Sequence, residues 1–195
     1  MVGQPRRNFI NLVSWSKVSE RLVNLIRISD QPKRNNQILN LEVISVKILE
    51  KMRMMWNDII EDGVAFPGTD VLSKEIFNQM ISQQDAVNYM YVDKILVGYY
   101  ILHPNNIGRC LHVANASYVL DKTMREKYLV EHSIKTAKES DFRGMQFNAI
   151  VESNKSALHT YKSLGFKEVG MIPQGFRLKD GSYSNMYIVL YLSLL

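Results

Sequence analysis

MQFNAIVESNKSALHTYKSLGFKEVG, residues 145–170, reads as strand, helix, strand. Residues 145–151 are an apolar run carrying Asn148 and are too short for a helix. Ser153 or Asn154 then supplies an N-cap, and Ala157, Leu158, Tyr161 and Leu164 fall on one face of the following helix. Gly165 stands just past that helix, at the position where a left-handed backbone is needed and glycine adopts it without a steric penalty. Residues 166–171 return as a strand.

The rest of the chain is compatible with one domain around this unit. A length of 195 residues suffices for a full core and a short extension. No apolar run reaches the length of a membrane span, and no signal-peptide pattern is visible. The single cysteine, Cys110, excludes an internal disulfide framework and fits a reducing, cytoplasmic compartment. Four scattered histidines give no metal-ligand spacing, so no metal site is expected. The net charge of +5 is concentrated in residues 1–40: Arg6, Arg7, Lys17, Arg21, Arg27, Lys33 and Arg34 face only Glu20 and Asp30. The remainder is neutral, so the high pI does not argue for a nucleic-acid partner.

Residues 1–40 read as a basic N-terminal extension, and residues 41–195 as the folded domain. In the extension Phe9, Leu12, Val13, Val18, Leu22, Leu25 and Ile26 approximate a helical stripe. A transit peptide, a helix for a partner or anionic membrane, and a helix packed on the domain all fit it. Residues 31–36 form a polar linker. Beyond it a first strand is expected over 41–46 and a helix over 48–61, with Met52, Met55, Trp56 and Ile59 inward. Ser73 caps a second helix with Ile76, Phe77 and Met80 inward. Segments 86–92 and 95–102 read as a hairpin about Asp93-Lys94. A strand over 111–120, a helix over 127–140 and a last strand over 186–192 complete the reading. The expected class is mixed α/β (α+β), with early strands in a meander and later ones linked by helices.

The order N-x-x-A-x-x-x-Y-x-x-x-G-F, Asn154 to Phe166, resembles the C-terminal half of the GCN5-related N-acetyltransferases (GNAT), which move an acyl group from acyl-coenzyme A to an amine. Further residues are similar to one subgroup: Pro104-Asn105, Arg109-Cys110, Asn115-Ala116, Phe147-Asn148 and the turn from Ile172 to Phe176. That subgroup holds bacterial members of unassigned substrate and fungal enzymes acting on azetidine-2-carboxylate and other proline analogues. The resemblance covers roughly residues 41–195. It implies a mostly antiparallel central sheet flanked by helices, acetyl-CoA as acyl donor, and a small-molecule amine, amino acid or imino acid as acceptor. A homodimer is compatible with it.

The resemblance also implies roles. Tyr161 would protonate the departing thiolate, since a phenol's pKa lies near that of a thiol; a core aromatic is the alternative. No general base is identifiable; Glu152 is a catalytic candidate only from its place at the end of a strand beside the cleft. Val119, Leu120, Arg125, Glu126, Lys127, Asn154 and Ser156 would bind the cofactor, Asn154 also capping its helix. Asn115, Asn148 and His112 would meet the acceptor; for the two asparagines, backbone-bonded structural roles are equally open.

One departure stands out. Family members hold the cofactor pyrophosphate on R/Q-x-x-G-x-G/A at a helix start, where amide N–H groups and the helix dipole favour an anion. Arg125 matches the first basic residue and Leu129–Ser133 the helix, but about four residues, G-x-G-x, are missing between them. Glu126 stands where the last glycine is expected. A missing loop, a natural deletion and a lost cofactor site all fit. The last would make the chain a ligand- or partner-binding module without catalysis.

Overall fold

A computed structural model describes residues 37–40, 46–92, 95–122 and 124–192 of the chain. The expected helical stripe and linker of the extension, the expected strand residues 41–45 and the turn residues Asp93 and Lys94 lie outside the described residues. The elements are β1 (Gln37–Asn40), α1 (Val46–Asp62), α2 (Lys74–Ser82), β2 (Ala86–Val92), β3 (Ile95–Pro104), β4 (Val113–Leu120), α3 (Lys127–Glu139), β5 (Gly144–Val151), α4 (Lys155–Ser163), β6 (Lys167–Arg177) and β7 (Tyr183–Leu192). A short 3-10 turn, Gly108–Cys110, precedes β4.

The strands make one seven-stranded sheet in the order β1-β2-β3-β4-β5-β7-β6. Every neighbouring pair is antiparallel except β4–β5. The mixed, mostly antiparallel class read from the sequence is the class observed. One detail differs: a strand lies at Gln37–Asn40, ahead of the expected 41–46, and Val46 already opens α1. The last strand, β7, lies between β5 and β6, because the Gly181 turn folds it back on β6 while its other side pairs with β5.

Each face of the sheet carries a helical layer. On one face α1 buries Met52, Trp56 and Ile60, spaced one turn apart, and α2 buries Phe77 and Ile81. Ser73 Oγ accepts the Ile76 N–H at 3.3 Å and starts α2, as its residue type predicts. Trp56 packs on Phe66 with ring centroids 4.5 Å apart, and the Tyr99 hydroxyl donates to the Met52 carbonyl at 2.9 Å, locking α1 to β3. On the other face α3 buries Leu129, Val130, Ser133 and Ala137, and α4 buries Ala157 and Tyr161. These pack against Tyr100, Tyr118, Met145, Phe147 and Phe166.

The stretch around α4 folds as its residues dictate. Asn154 Oδ1 accepts the Ala157 N–H at 3.2 Å. Gly165 takes φ +93°, so that its N–H reaches the Lys162 carbonyl and the Phe166 N–H reaches the Tyr161 carbonyl. Phe166 is thereby turned onto Phe147, with ring centroids 5.0 Å apart.

Candidate active site in the parting of two strands

β4 and β5 run parallel and pair only at Val113↔Gly144 and Ala114↔Met145. Beyond that joint the strands part. Gly144 sits at the vertex, where a Cβ would come within 2.5 Å of the Tyr191 carbonyl oxygen of β7. Only glycine lets three strands approach this closely. On the far side of the joint the facing edges of β4 and β5 have no strand partner. They frame a cleft of about 290 Å3, lined among others by Asn115–Tyr118 and by Phe147–Val151.

The cleft passes through the sheet, because alternate strand residues point to opposite faces. Toward α3 and α4 it is lined by Tyr118, Phe147, Glu126, Asn154, Ala157 and Tyr161. Toward α1 and α2 it meets Asn115, Ser117 and Asn148, with Ala65, Phe66 and Pro67 from the loop after α1.

Tyr161 is buried, and α4 drives it into the aromatic floor, 4.6 Å from the Phe147 ring and 5.6 Å from the Phe166 ring between centroids. Its hydroxyl donates to Glu126 Oε1 at 2.6 Å. Burial pushes the Tyr161 phenol well above its ordinary pKa, and the Glu126 charge pushes in the same direction. Glu126 is itself shifted upward by burial, with the Tyr161 hydrogen bond pulling the other way. Glu126 occupies the N-cap position of α3 in a helical conformation, yet its side chain makes no capping bond. The carboxyl turns into the cleft instead.

The polar wall opposite is a knot of amides. Asn115 Nδ2 donates to Asn105 Oδ1 at 3.0 Å, Asn148 Nδ2 donates to the same oxygen, and Gln146 Nε2 donates to Asn148 Oδ1 at 2.7 Å. Asn105 is held in turn by its backbone N–H on the Val113 carbonyl at 2.7 Å. A primary amide has two N–H donors, so Asn115 and Asn148 each keep one beyond the bond to Asn105.

The cleft thus brings together Tyr161, Glu126, Asn154, Asn115 and Asn148 from the residues singled out in the sequence. It does not include the others. The Glu152 carboxylate lies outside the lining and accepts from Asn185 Nδ2 at 3.0 Å and the Tyr187 hydroxyl at 3.3 Å, so it is tied to β7. His112 is exposed at the closed end of the parting, with Nδ1 3.1 Å from the Arg109 carbonyl. Val119 points into the core under α1 and α2, and Leu120 packs on the opposite core. Arg125, Lys127 and Ser156 are exposed and outside the lining, Lys127 standing 3.8 Å from Glu131. Asn105, the hub of the amide knot, is identifiable in sequence only as part of a motif; nothing local shows that it joins two strands. Among the described residues no three or more His, Cys, Asp or Glu side chains are grouped to hold a metal ion. No described helix is long and apolar enough to cross a membrane.

A mixed sheet that parts between two parallel strands, with helices on both faces and a tyrosine in the gap, defines an α/β class with solved relatives. A GCN5-related N-acetyltransferase from Kribbella flavida superposes with a TM-score of 0.73 at 22% identity, covering 81% of this chain and 98% of that one. The yncA protein of Salmonella typhimurium, solved with its cofactor acetyl-CoA, gives 0.69 at 13% identity, covering 80% and 93%. A phosphinothricin acetyltransferase from Sinorhizobium meliloti in complex with acetyl-CoA gives 0.70 at 14% identity, covering 80% and 86%. The chain has the fold of the GCN5-related N-acetyltransferases. In sequence it is 28% identical over 101 residues to the N-acetyltransferase aca1 of Schizosaccharomyces pombe, a match over 49% of this chain and 48% of that protein. The match therefore spans about half the length of this curated relative. No family model matches the sequence.

Proposed function

We propose that the chain is an acyl-CoA-dependent N-acetyltransferase that passes an acetyl group from acetyl-CoA to the amine of a small molecule, an amino or imino acid. The observation that carries this reading is the parting of β4 and β5 with the Tyr161 hydroxyl inside it. Unpaired strand edges present N–H and C=O groups in a row, and a thin, amide-bearing chain such as a coenzyme A arm satisfies them as a missing strand would. Two of the superposed proteins were solved with acetyl-CoA, which supports the same donor here.

The residues present fit such a donor. The edge of β4 would hold the arm, Asn154 would cap α4 beside it, and exposed Lys122, Arg125 and Lys127 near the start of α3 would face the diphosphate end. When bound, acetyl-CoA supplies an activated thioester. The chain's own work is positional and protonic. Phe147, Phe166 and Tyr118 keep the floor apolar and exclude water. Tyr161 presents the acid that a departing thiolate needs. The spare N–H groups of Asn115 and Asn148 would hold an acceptor's carboxylate or carbonyl on the opposite side of the sheet. Among the described residues no carboxylate or histidine except Glu126 lines the cleft, so the acceptor amine would enter already deprotonated.

Glu126 and the short connection before α3 favour a second reading, a binding module that transfers nothing. Release of free coenzyme thiol, followed while proline-like imino acids, amino acids and short peptides are offered in turn, separates the two. Acceptor-dependent release with the small acceptors supports the transferase. Release with peptides alone moves the acceptor class to peptides, and no release with any amine supports the module.

A further inference from the structure

The Glu126 side chain is the one feature of the cleft that the transferase reading leaves without a task. Its residue stands at a helix start, where a carboxylate would ordinarily turn back to cap the amides. It makes no such bond and is placed against the buried Tyr161 hydroxyl at 2.6 Å. The groups around it are few. Tyr161 faces it from α4 and Tyr118 stands behind from β4, its own hydroxyl 2.6 Å from Ser133 Oγ. β5 contributes Phe147 and the uncharged Asn148, and the loop after α1 contributes Ala65, Phe66 and Pro67. Arg125 and Lys127, its chain neighbours, are exposed. Among the described residues no cation lines the cleft.

We propose that Glu126 is a positioning residue for Tyr161, whose protonation state decides which way the Tyr161 hydroxyl points. This rests on the transferase reading for its consequence but not for its geometry. A phenol has one proton and two lone pairs. When Glu126 is ionised it can only accept, so it takes the Tyr161 proton for its own hydrogen bond, and none is left to offer into the cleft. When Glu126 is neutral, its O–H can donate to the Tyr161 oxygen across the same short distance. The Tyr161 proton then turns to the cleft, where a thiolate would leave. The carboxyl is partly buried in the cleft and has no cationic partner among the described lining residues, so it stays neutral to a higher pH than an exposed glutamate. The residue in the place of the family's last glycine therefore sets when the acid is available.

Two measurements test this together. The first needs no turnover: carbon NMR titration of side-chain-labelled glutamate, with Glu126 assigned by its loss in Glu126→Gln, read beside the Tyr161 ring signals. Glu126 is expected to titrate above the exposed glutamates, and the Tyr161 signals to shift with it in the wild type but not in Glu126→Gln. Tyr161→Phe, which removes the bonded hydroxyl, should raise the Glu126 titration further. The second is the pH profile of coenzyme thiol release under saturating substrates. The wild-type kcat should fall about tenfold per pH unit above the Glu126 titration, while Glu126→Gln, whose amide does not titrate and can donate to Tyr161 at every pH, should lose that limb. Glu126 titrating with the exposed glutamates, Tyr161 signals indifferent to it, or parallel pH profiles would overturn the proposal. A chain that releases no thiol with any amine, yet shows the coupled titration, would overturn the transferase reading and leave the control of Tyr161 by Glu126 standing.

Discussion

Acidification should destabilise this protein through His132, and the size of the effect can be worked from its contacts. His132 lies on α3 with Nδ1 2.8 Å from the buried Tyr100 hydroxyl. That hydroxyl also meets Asn88 Nδ2 at 2.9 Å and Thr136 Oγ1 at 2.8 Å. An amide nitrogen can only donate, and the phenol has one proton. All three bonds are made when Asn88 and Thr136 donate and the phenol proton goes to His132, whose Nδ1 must then carry a lone pair. Burial, with Lys135 nearby adding repulsion, holds the imidazole down to about 4 from its ordinary 6.5. Between those values the unfolded chain binds the proton and the folded chain refuses it. Stability is therefore full above 6.5 and falls as the pH falls toward 4. The interval is 6.5 − 4 = 2.5, and at 1.36 kcal/mol per unit it is worth about 3 kcal/mol in all. About 2 kcal/mol of that is lost by about pH 5. Urea unfolding of the wild type and of His132→Asn, at about pH 8 and about pH 5, isolates this contribution. Asparagine keeps an acceptor near Nδ1 and does not titrate. The wild-type advantage should shrink by about 2 kcal/mol at the lower pH. An advantage equal at both values would refute the neutral, buried acceptor.

Three further outcomes are expected. Tyr161→Phe should lower turnover by about 10²–10⁴-fold while acetyl-CoA affinity changes little, because an acid acts only as the thiolate leaves; unchanged turnover removes Tyr161 from the chemistry. Asn105→Ala should free Asn115 and Asn148 together and raise the acceptor KM about tenfold, equivalent to one lost hydrogen bond of about 1.4 kcal/mol, with kcat nearly constant. Gly144→Ala would force a Cβ to within 2.5 Å of the Tyr191 carbonyl oxygen, so thermal unfolding should show a loss of about 1–3 kcal/mol or more; a tolerated alanine would mean that the joint of β4, β5 and β7 is looser than described.

Local chemistry made most of the fold legible. The caps Ser73 and Asn154, the glycine at 165 and the helical spacing of Met52 and Trp56 are signals within a few residues, and each is realised. The strand at Gln37–Asn40 escapes a local reading because it has no alternating pattern. It becomes a strand through pairing with residues Asn88–Tyr91, a long-range partnership no local window contains. The site divides in the same way. Tyr161 and Asn154 carry a spaced motif and fall in the cleft. Glu152 and His112 are ionisable residues near strand ends, but His112 precedes the β4–β5 joint and the Glu152 carboxylate turns to Asn185 and Tyr187 of β7, so neither lines the cleft. Glu126 was legible as a misfit in a phosphate loop; that its carboxyl would reach across to Tyr161 depended on the packing of α3 against α4.

The transferase activity requires that the parted strands hold acetyl-CoA despite the short connection before α3. Thermal unfolding with and without the compound, on full-length protein of verified mass, tests this directly, since a ligand that binds only the folded chain must raise the midpoint. At a concentration one hundred times Kd the gain is about 2.7 kcal/mol, and a clear upward shift is expected. A midpoint unmoved at millimolar acetyl-CoA would contradict it.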